Sequence, residues 1–241
     1  GDAGRPASPF GFRGGRPGPP RRRVTDVIRV VVVDDEALVR SGFELILGAA
    51  ADIEVVAAVD GDGAVDTIRR ERPDVVLLDI RMPGRSGLDV LADLRDDPDR
   101  PVIGILTTFD TDEHIARALQ DGASGFLVKD TPPEHLAAMV RSLAAGGVVL
   151  SPQVSRTLVE GYVGAPDPDA VERVALLTER ERDVLEHLPT GESNAEIGKR
   201  LHLSGATVKD HVSAILAKLS VSTRLEAALI AERARRGGER R

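Results

Sequence analysis

The sequence predicts an α/β domain built on a doubly wound, five-stranded parallel sheet, followed by a small all-α domain. Three observations carry this. Five short apolar runs alternate with amphipathic helical segments between residues 28 and 146. The runs are continuously apolar, as in strands covered on both faces. Beyond residue 178 only helical periodicity remains, punctuated by capping residues.

The first strand is IRVVVV (28–33), followed by a helix from Glu36 to Ala49. EVVAAV (54–59), a helix over 62–72 and DVVLLD (74–79) come next. A helix over 87–95 leads to VIGILT (102–107), then a helix over 112–121. SGFLVK (124–129) and a helix from Pro132 to about Gly146 close the series. Such alternation gives a parallel sheet whose ligands sit outside the carboxyl ends of the strands.

The sheet domain spans 27–146, a linker 147–170, and the helical domain 171–236. In the linker, SPQVSRTLVEGYV (151–163) has the composition of a short helix, and GAPDPD (164–169) reads as a flexible hinge. Residues 1–26 form a basic tail. Its first 23 residues are rich in Gly, Pro and Arg, bury too little apolar surface to offset their ordering entropy, and are expected to be disordered.

Composition excludes several function classes. With no cysteine there are no disulfides and no thiolate metal sites, which fits a cytoplasmic protein. Aromatics at 2% leave little for stacking on single-stranded nucleic acid. No apolar run reaches the ~18 residues of a membrane span, and the N-terminus lacks a secretory signal pattern. The net charge of −7 is uneven: the tail carries +4 (six arginines against two acids) and 171–241 carries +2 (thirteen basic residues against eleven acids), leaving −13 for 27–170. An acidic middle and a basic end suit different partners.

The acidic middle has a focus. The first strand ends in Asp34 and Asp35, the third in Asp79, the fourth in Thr107 and the fifth in Lys129. Strand ends in one parallel sheet face the same side, so these groups converge on one crevice. Three carboxylates so close call for a cation, and hard oxygen ligands with an incomplete shell suit Mg²⁺. Lys129 adds a positive charge and Thr107 a hydroxyl, a set able to neutralise a transferring phosphoryl group. Singly, each residue has a plainer reading: an Asp at a strand end caps the next helix, and a Lys there is solvated. Competing phosphate motifs fail, since GDG (61–63) lacks a third Gly and no GxxxxGK[ST] occurs. Asp79 is followed by Ile80-Arg81 rather than by an Asp two residues on, unlike haloacid-dehalogenase-type phosphatases.

VVVDDE, LLDIRMPGRSGLDVL, ILTTFD and GASGFLVKD resemble the receiver domain of bacterial response regulators, a flavodoxin-like fold. The resemblance implies that Asp79 accepts a phosphoryl group from a sensor histidine kinase. It implies Mg²⁺ ligation by Asp35, Asp79 and the Arg81 backbone carbonyl, with Asp34 acting through a bound water. Lys129 would pair with the phosphoryl group and Thr107 would swing toward it. Phe126 matches the aromatic that turns inward with that Thr, although plain core packing accounts for it too. Pro83 and Gly84 shape the loop after Asp79. In such a bacterial protein, translation can start at a Val codon, which makes Val24 a candidate first residue.

In the helical domain, Thr178 with Glu181 forms a capping box opening a helix with Val184, Leu185 and Leu188 inward. Pro189 shortens that helix, and Gly191 ends the segment. Ser193 starts a second helix; after a tight turn Ser204 caps a third, with Val208, Val212, Ile215 and Leu219 on one face. This spacing describes a helix-turn-helix, though amphipathicity alone also allows a bundle for protein docking. LTERERDVL, SNAEI and ATVKDHV resemble the LuxR-type domain of the NarL/FixJ class. By that resemblance, Lys209, Asp210 and Ser213 face the major groove, Ser193, Asn194 and Thr207 lie near phosphates, and the last helix (222–234) makes a dimer contact. Gly205 departs from the usual first turn of the recognition helix, and Asp210 sets a negative charge beside DNA.

The expectation is a transcriptional regulator of a two-component phosphorelay, not an enzyme, acting on double-stranded promoter DNA as a homodimer with no membrane partner. The alternative is a phosphotransfer or docking module whose helical domain does not bind DNA. An intact acid pocket argues against a phosphate-independent regulator. The unphosphorylated chain is expected to be monomeric, with the receiver covering or misorienting the recognition helix.

Overall fold

The computed structural model describes residues 27–97, 99–107, 112–151, 154–155, 158 and 168–238. The tail 1–26, most of the segment read as a short helix and hinge residues 164–167 lie outside them. The strands are β1 (Ile28–Val33), β2 (Ile53–Val59), β3 (Val75–Asp79), β4 (Val102–Thr107), β5 (Gly125–Val128) and β6 (Val149–Leu150). Between them run α1 (Ala37–Gly48), α2 (Ala64–Glu71), α3 (Gly87–Asp93), α4 (Asp112–Gln120) and α5 (Pro133–Ala144). All pairings are parallel, in the order β2-β1-β3-β4-β5-β6. The order in which strands are added reverses between β1 and β3, which puts the ligand crevice at their carboxyl ends.

The valines of β1 show why the run is continuous. Val31 and Val33 join one core with α2, α3 and α4, while Val30 and Val32 join another with α1 and α5. Successive side chains point to opposite faces, and helices cover both.

The sheet has six strands rather than the expected five. After α5, Gly146 (φ +78°) turns the chain, and Val149 and Leu150 pair with Gly125 and Phe126. Val149 is buried in the core with Leu143. The stretch expected as linker thus begins inside the sheet, and Val154 and Leu158 are buried in the core on the α4 side.

The helical domain comprises α6 (Pro168–Ala175), α7 (Glu179–Glu186), α8 (Asn194–Leu201), α9 (Gly205–Leu219) and α10 (Arg224–Gly238). Thr178 and Ser193 form full capping boxes with Glu181 and Glu196, and Ser204 caps α9 through the Thr207 N–H. Helix α7 ends at Glu186, before Pro189, as the sequence requires. Val184, Ile197, Val208, Ile215 and Leu219 meet in one core.

Candidate functional site

Register brings the acids together. Val33 lies opposite Leu78, so the residues after them, Asp34 and Asp79, are neighbours at the crevice. Asp34, Asp35 and Asp79 each offer a carboxylate oxygen within 4.8 Å of the others. Asp34 and Asp79 are buried, and Asp35 is exposed at the mouth. Lys129, directly after β5, is held by its N–H to the Thr107 carbonyl (2.9 Å). Its Nζ lies 2.8 Å from Asp79 Oδ2 and 2.8 Å from Asp34 Oδ2. Both buried acids are thus tied to the same ammonium. Thr107 is buried at the end of β4.

Electrostatics follow from burial. Burial pushes the Asp79 carboxyl above the usual carboxylate range, and the Asp34 charge adds to this, against the Lys129 hydrogen bond and the Arg81 N–H. For Lys129, burial alone would lower the ammonium, but the adjacent carboxylates of Asp34 and Asp79 leave it raised. Three carboxylates only partly balanced by one ammonium suit a hard divalent cation.

Two supporting residues escaped the sequence reading. Arg40, one turn into α1, donates to the carbonyls of Asp34 (2.6 Å) and Asp35 (3.0 Å) and pins the acid pair. Gly87 backs the crevice, since a Cβ there would collide with the Asp79 carbonyl. Among the expected residues, the Arg81 N–H donates to Asp79 Oδ1 (3.2 Å), and Gly84 takes a left-handed φ of +76°. Phe126 is fully buried in the core on the α4 side.

The helical domain presents a second polar face. Lys209, Asp210 and Ser213 are exposed on α9, with the Ser213 hydroxyl donating to the Lys209 carbonyl (3.0 Å). The Thr207 hydroxyl lies 2.8 Å from that of Ser204. Ser193 and Asn194 sit together at the start of α8, where Ser193 bonds Glu196. Asn194 is engaged elsewhere: its N–H meets the Ala145 carbonyl (3.5 Å), and its Oδ1 accepts from Arg224 (2.7 Å). The sheet domain therefore does not cover the side chains expected to read bases. It covers α10, whose Leu225 and Leu229 are buried in the first domain's core. Amphipathic periodicity cannot say which of two cores a helix face joins.

A cavity of about 530 Å³ between α6, α7 and α10, lined by Val171, Val174, Leu185 and Pro189 among others, is mainly aliphatic and lies apart from the acids. No helix among the described residues is long and apolar enough to cross a membrane.

Comparison with known proteins agrees with both halves. Residues 30–141 match the response regulator receiver domain, and 175–231 match the bacterial regulatory proteins of the luxR family. The nitrate/nitrite response regulator protein NarP of Escherichia coli (strain K12) is 40% identical over 84% of this chain and 93% of its own length. The transcriptional regulatory protein DegU of Brevibacillus brevis is 35% identical over 83% and 91%. A LuxR-family response regulator from Aurantimonas sp. SI85-9A1 superposes with a TM-score of 0.52 at 27% identity, covering 56% of this chain and 97% of that one. With a receiver joined to a LuxR-type helix-turn-helix, the chain belongs to the NarL/FixJ class of two-component response regulators, which are DNA-binding transcriptional regulators.

Proposed function

We propose that this protein carries a phosphoryl switch at Asp79 which controls its binding to promoter DNA as a homodimer in the cytoplasm. The observation that carries the reading is the Lys129 bridge across Asp34 and Asp79 at the carboxyl ends of β1 and β3. An Asp79 carboxylate oxygen attacks the phosphorus of a phosphohistidine on a sensor kinase. The phosphorus–nitrogen bond breaks, the imidazole leaves, and an acyl phosphate remains on Asp79. Lys129, already at hydrogen-bond distance, moves its charge onto the new phosphoryl oxygens, and the Thr107 hydroxyl supplies a donor. Asp34, Asp35, Asp79 and the Arg81 carbonyl would hold Mg²⁺, which when bound neutralises charge on the phosphoryl oxygens. Arg40 and Gly87 keep the acids in place. The chain's own chemistry stops at this transfer and at hydrolysis of the acyl phosphate, in which water takes the phosphoryl group as inorganic phosphate and frees the Asp79 carboxylate, so we read it as a regulator rather than an enzyme.

The kinase has a surface to meet beside the pocket. Leu38, in the first turn of α1, and Leu45, on the same helix, are 85% and 79% exposed. Such an apolar edge suits the helices that would present the phosphohistidine. On the DNA side, we read exposed Lys209, Asp210 and Ser213 as the base-reading residues and Ser193, Asn194 and Thr207 as phosphate contacts, Asn194 only once it leaves Ala145 and Arg224.

The test is labelling by a small acyl-phosphate donor with Mg²⁺. Wild type should incorporate phosphate, and Asp79→Ala should not, because no other carboxylate is placed for in-line attack. Undiminished labelling of the variant would refute the assignment.

A further inference from the structure

The cavity between α6, α7 and α10 includes none of the residues assigned above to phosphoryl transfer or DNA contact. At about 530 Å³ it falls within the range of small-molecule sites. Leu185 of α7 is 3% exposed and belongs to the core of the helical domain, and Val174 and Ala234 pack against that core. Val171, one turn before Val174 on α6, is 39% exposed, so the cavity opens to solvent. Pro189 and Ala231 complete an aliphatic lining with no aromatic ring among the described residues. Such a wall offers burial to branched aliphatic groups and nothing for a planar ring to stack on. The edge is charged. On α10, Arg235 is paired with Glu232 (2.9 Å). On α7, Arg182 and Glu186 form no ion pair among the described residues, and Arg180 takes Asp183 (3.1 Å).

Arg182 and Glu186 are four residues apart, which places them one turn, about 6 Å, apart along the helix. Glu186 is the last residue of α7, where the helix dipole disfavours an acid and favours a cation. A ligand that matches this edge brings a carboxylate for Arg182, a cation for Glu186 and an apolar body between them. In an extended dipeptide the ammonium and carboxylate ends stand about 7 Å apart, two residues at up to ~3.6 Å each. A single amino acid holds its charges too close to span one turn, and a fatty acid leaves Glu186 unanswered. We infer that this cavity is a binding site for an aliphatic dipeptide, with its carboxylate on Arg182, its ammonium on Glu186 and its side chains against Leu185, Val174 and Ala234. Bound there, the dipeptide ties α6 to α7 and α10 and stabilises the helical domain. The site is separate from Asp79 and does not depend on the phosphoryl switch.

The test uses the full chain without a phosphoryl donor and leucyl-leucine as the probe, followed by isothermal titration calorimetry and thermal unfolding. Leucyl-leucine should bind saturably and raise the unfolding midpoint. Acetylating its amino end or amidating its carboxyl end should each weaken binding about fivefold, the scale of one exposed ion pair. Glycyl-glycine, which has the charges without the side chains, should give no saturable binding. Arg182→Gln should bind leucyl-leucine and its amide equally, and Glu186→Gln should bind leucyl-leucine and its acetylated form equally. Both residues are exposed, so these variants should fold as wild type does, which circular dichroism checks. Ala234→Leu, which fills the cavity from α10, should abolish binding while acyl-phosphate labelling stays at the wild-type level. No saturable binding of leucyl-leucine would overturn the site. Octanoate binding as tightly as leucyl-leucine, with both glutamine variants indifferent, would overturn recognition of a dipeptide. An affinity that falls as protein concentration rises would show a second copy seated in the cavity and would overturn the proposal as well.

Discussion

Replacing Lys129 by Ala removes the cation that, among the described residues, bridges Asp34 and Asp79. Its Nζ is 2.8 Å from an oxygen of each, and the three side chains are 10%, 0% and 5% exposed. At an effective dielectric of about 20, each contact has a gross Coulomb energy of about 6 kcal/mol. Desolvation cancels much of this. Breaking a buried pair by removing one partner still costs about 3–5 kcal/mol, against about 0–1 kcal/mol for a solvated pair. Low exposure assigns Lys129 to the buried class, and removing its own desolvation favours the lower end, about 3 kcal/mol. Urea denaturation followed by circular dichroism measures this without Mg²⁺. Adding Mg²⁺ should then raise the midpoint more for Lys129→Ala than for wild type, because the cation no longer competes with an ammonium. A deficit below about 1 kcal/mol, or an equal Mg²⁺ response in both proteins, would refute a buried, metal-competent cluster.

Asp210 and Lys209 are adjacent on exposed α9 but differ in chemistry. Asp210→Ala should relax preference at one base pair per half-site by ~1–3 kcal/mol while binding to random DNA holds or rises. Lys209→Ala should weaken specific and random binding together. Parallel binding-site selection at fixed salt decides, and unchanged preference for Asp210→Ala would show that this residue only tunes charge. For stability, burial pushes the Glu181 carboxyl up, but hydrogen bonds from Lys218 and from Thr178 more than offset this and leave it below the ordinary 4.5. A depressed carboxyl contributes stability above its unfolded value and loses it as pH falls through the folded value. Glu181→Gln should therefore cost roughly 1–3 kcal/mol at neutral pH, with the difference shrinking in acid. A deficit that persists below the folded value would contradict the ion pair.

How much of this was legible depended on whether a feature was local or tertiary. The valine run of β1, the capping box at Thr178 and the helix start at Ser193 are local patterns, and the structure realises each of them. The acid pocket is tertiary, yet it was readable because strand ends of a parallel sheet must face one side. Val149–Leu150 was not readable as a strand, since two residues carry no period. Arg40 and Gly87 act on backbone carbonyls, a role that residue type alone does not reveal. Leu225 and Leu229 fit the apolar stripe of a helix in its own domain, and only packing shows that they join the other core.

The most direct test of the whole scheme is binding of the full-length protein to a promoter fragment, titrated at two salt concentrations with and without an acyl-phosphate donor. Mg²⁺ is present throughout, and wild type is compared with Asp79→Ala. Wild type should bind about tenfold or more tightly once phosphorylated. Salt should weaken binding in every case through release of counterions from DNA, and the donor should leave Asp79→Ala unchanged. A donor effect of equal size in Asp79→Ala, or no salt-sensitive binding by phosphorylated wild type, would contradict a phosphoryl switch at Asp79 that governs DNA binding.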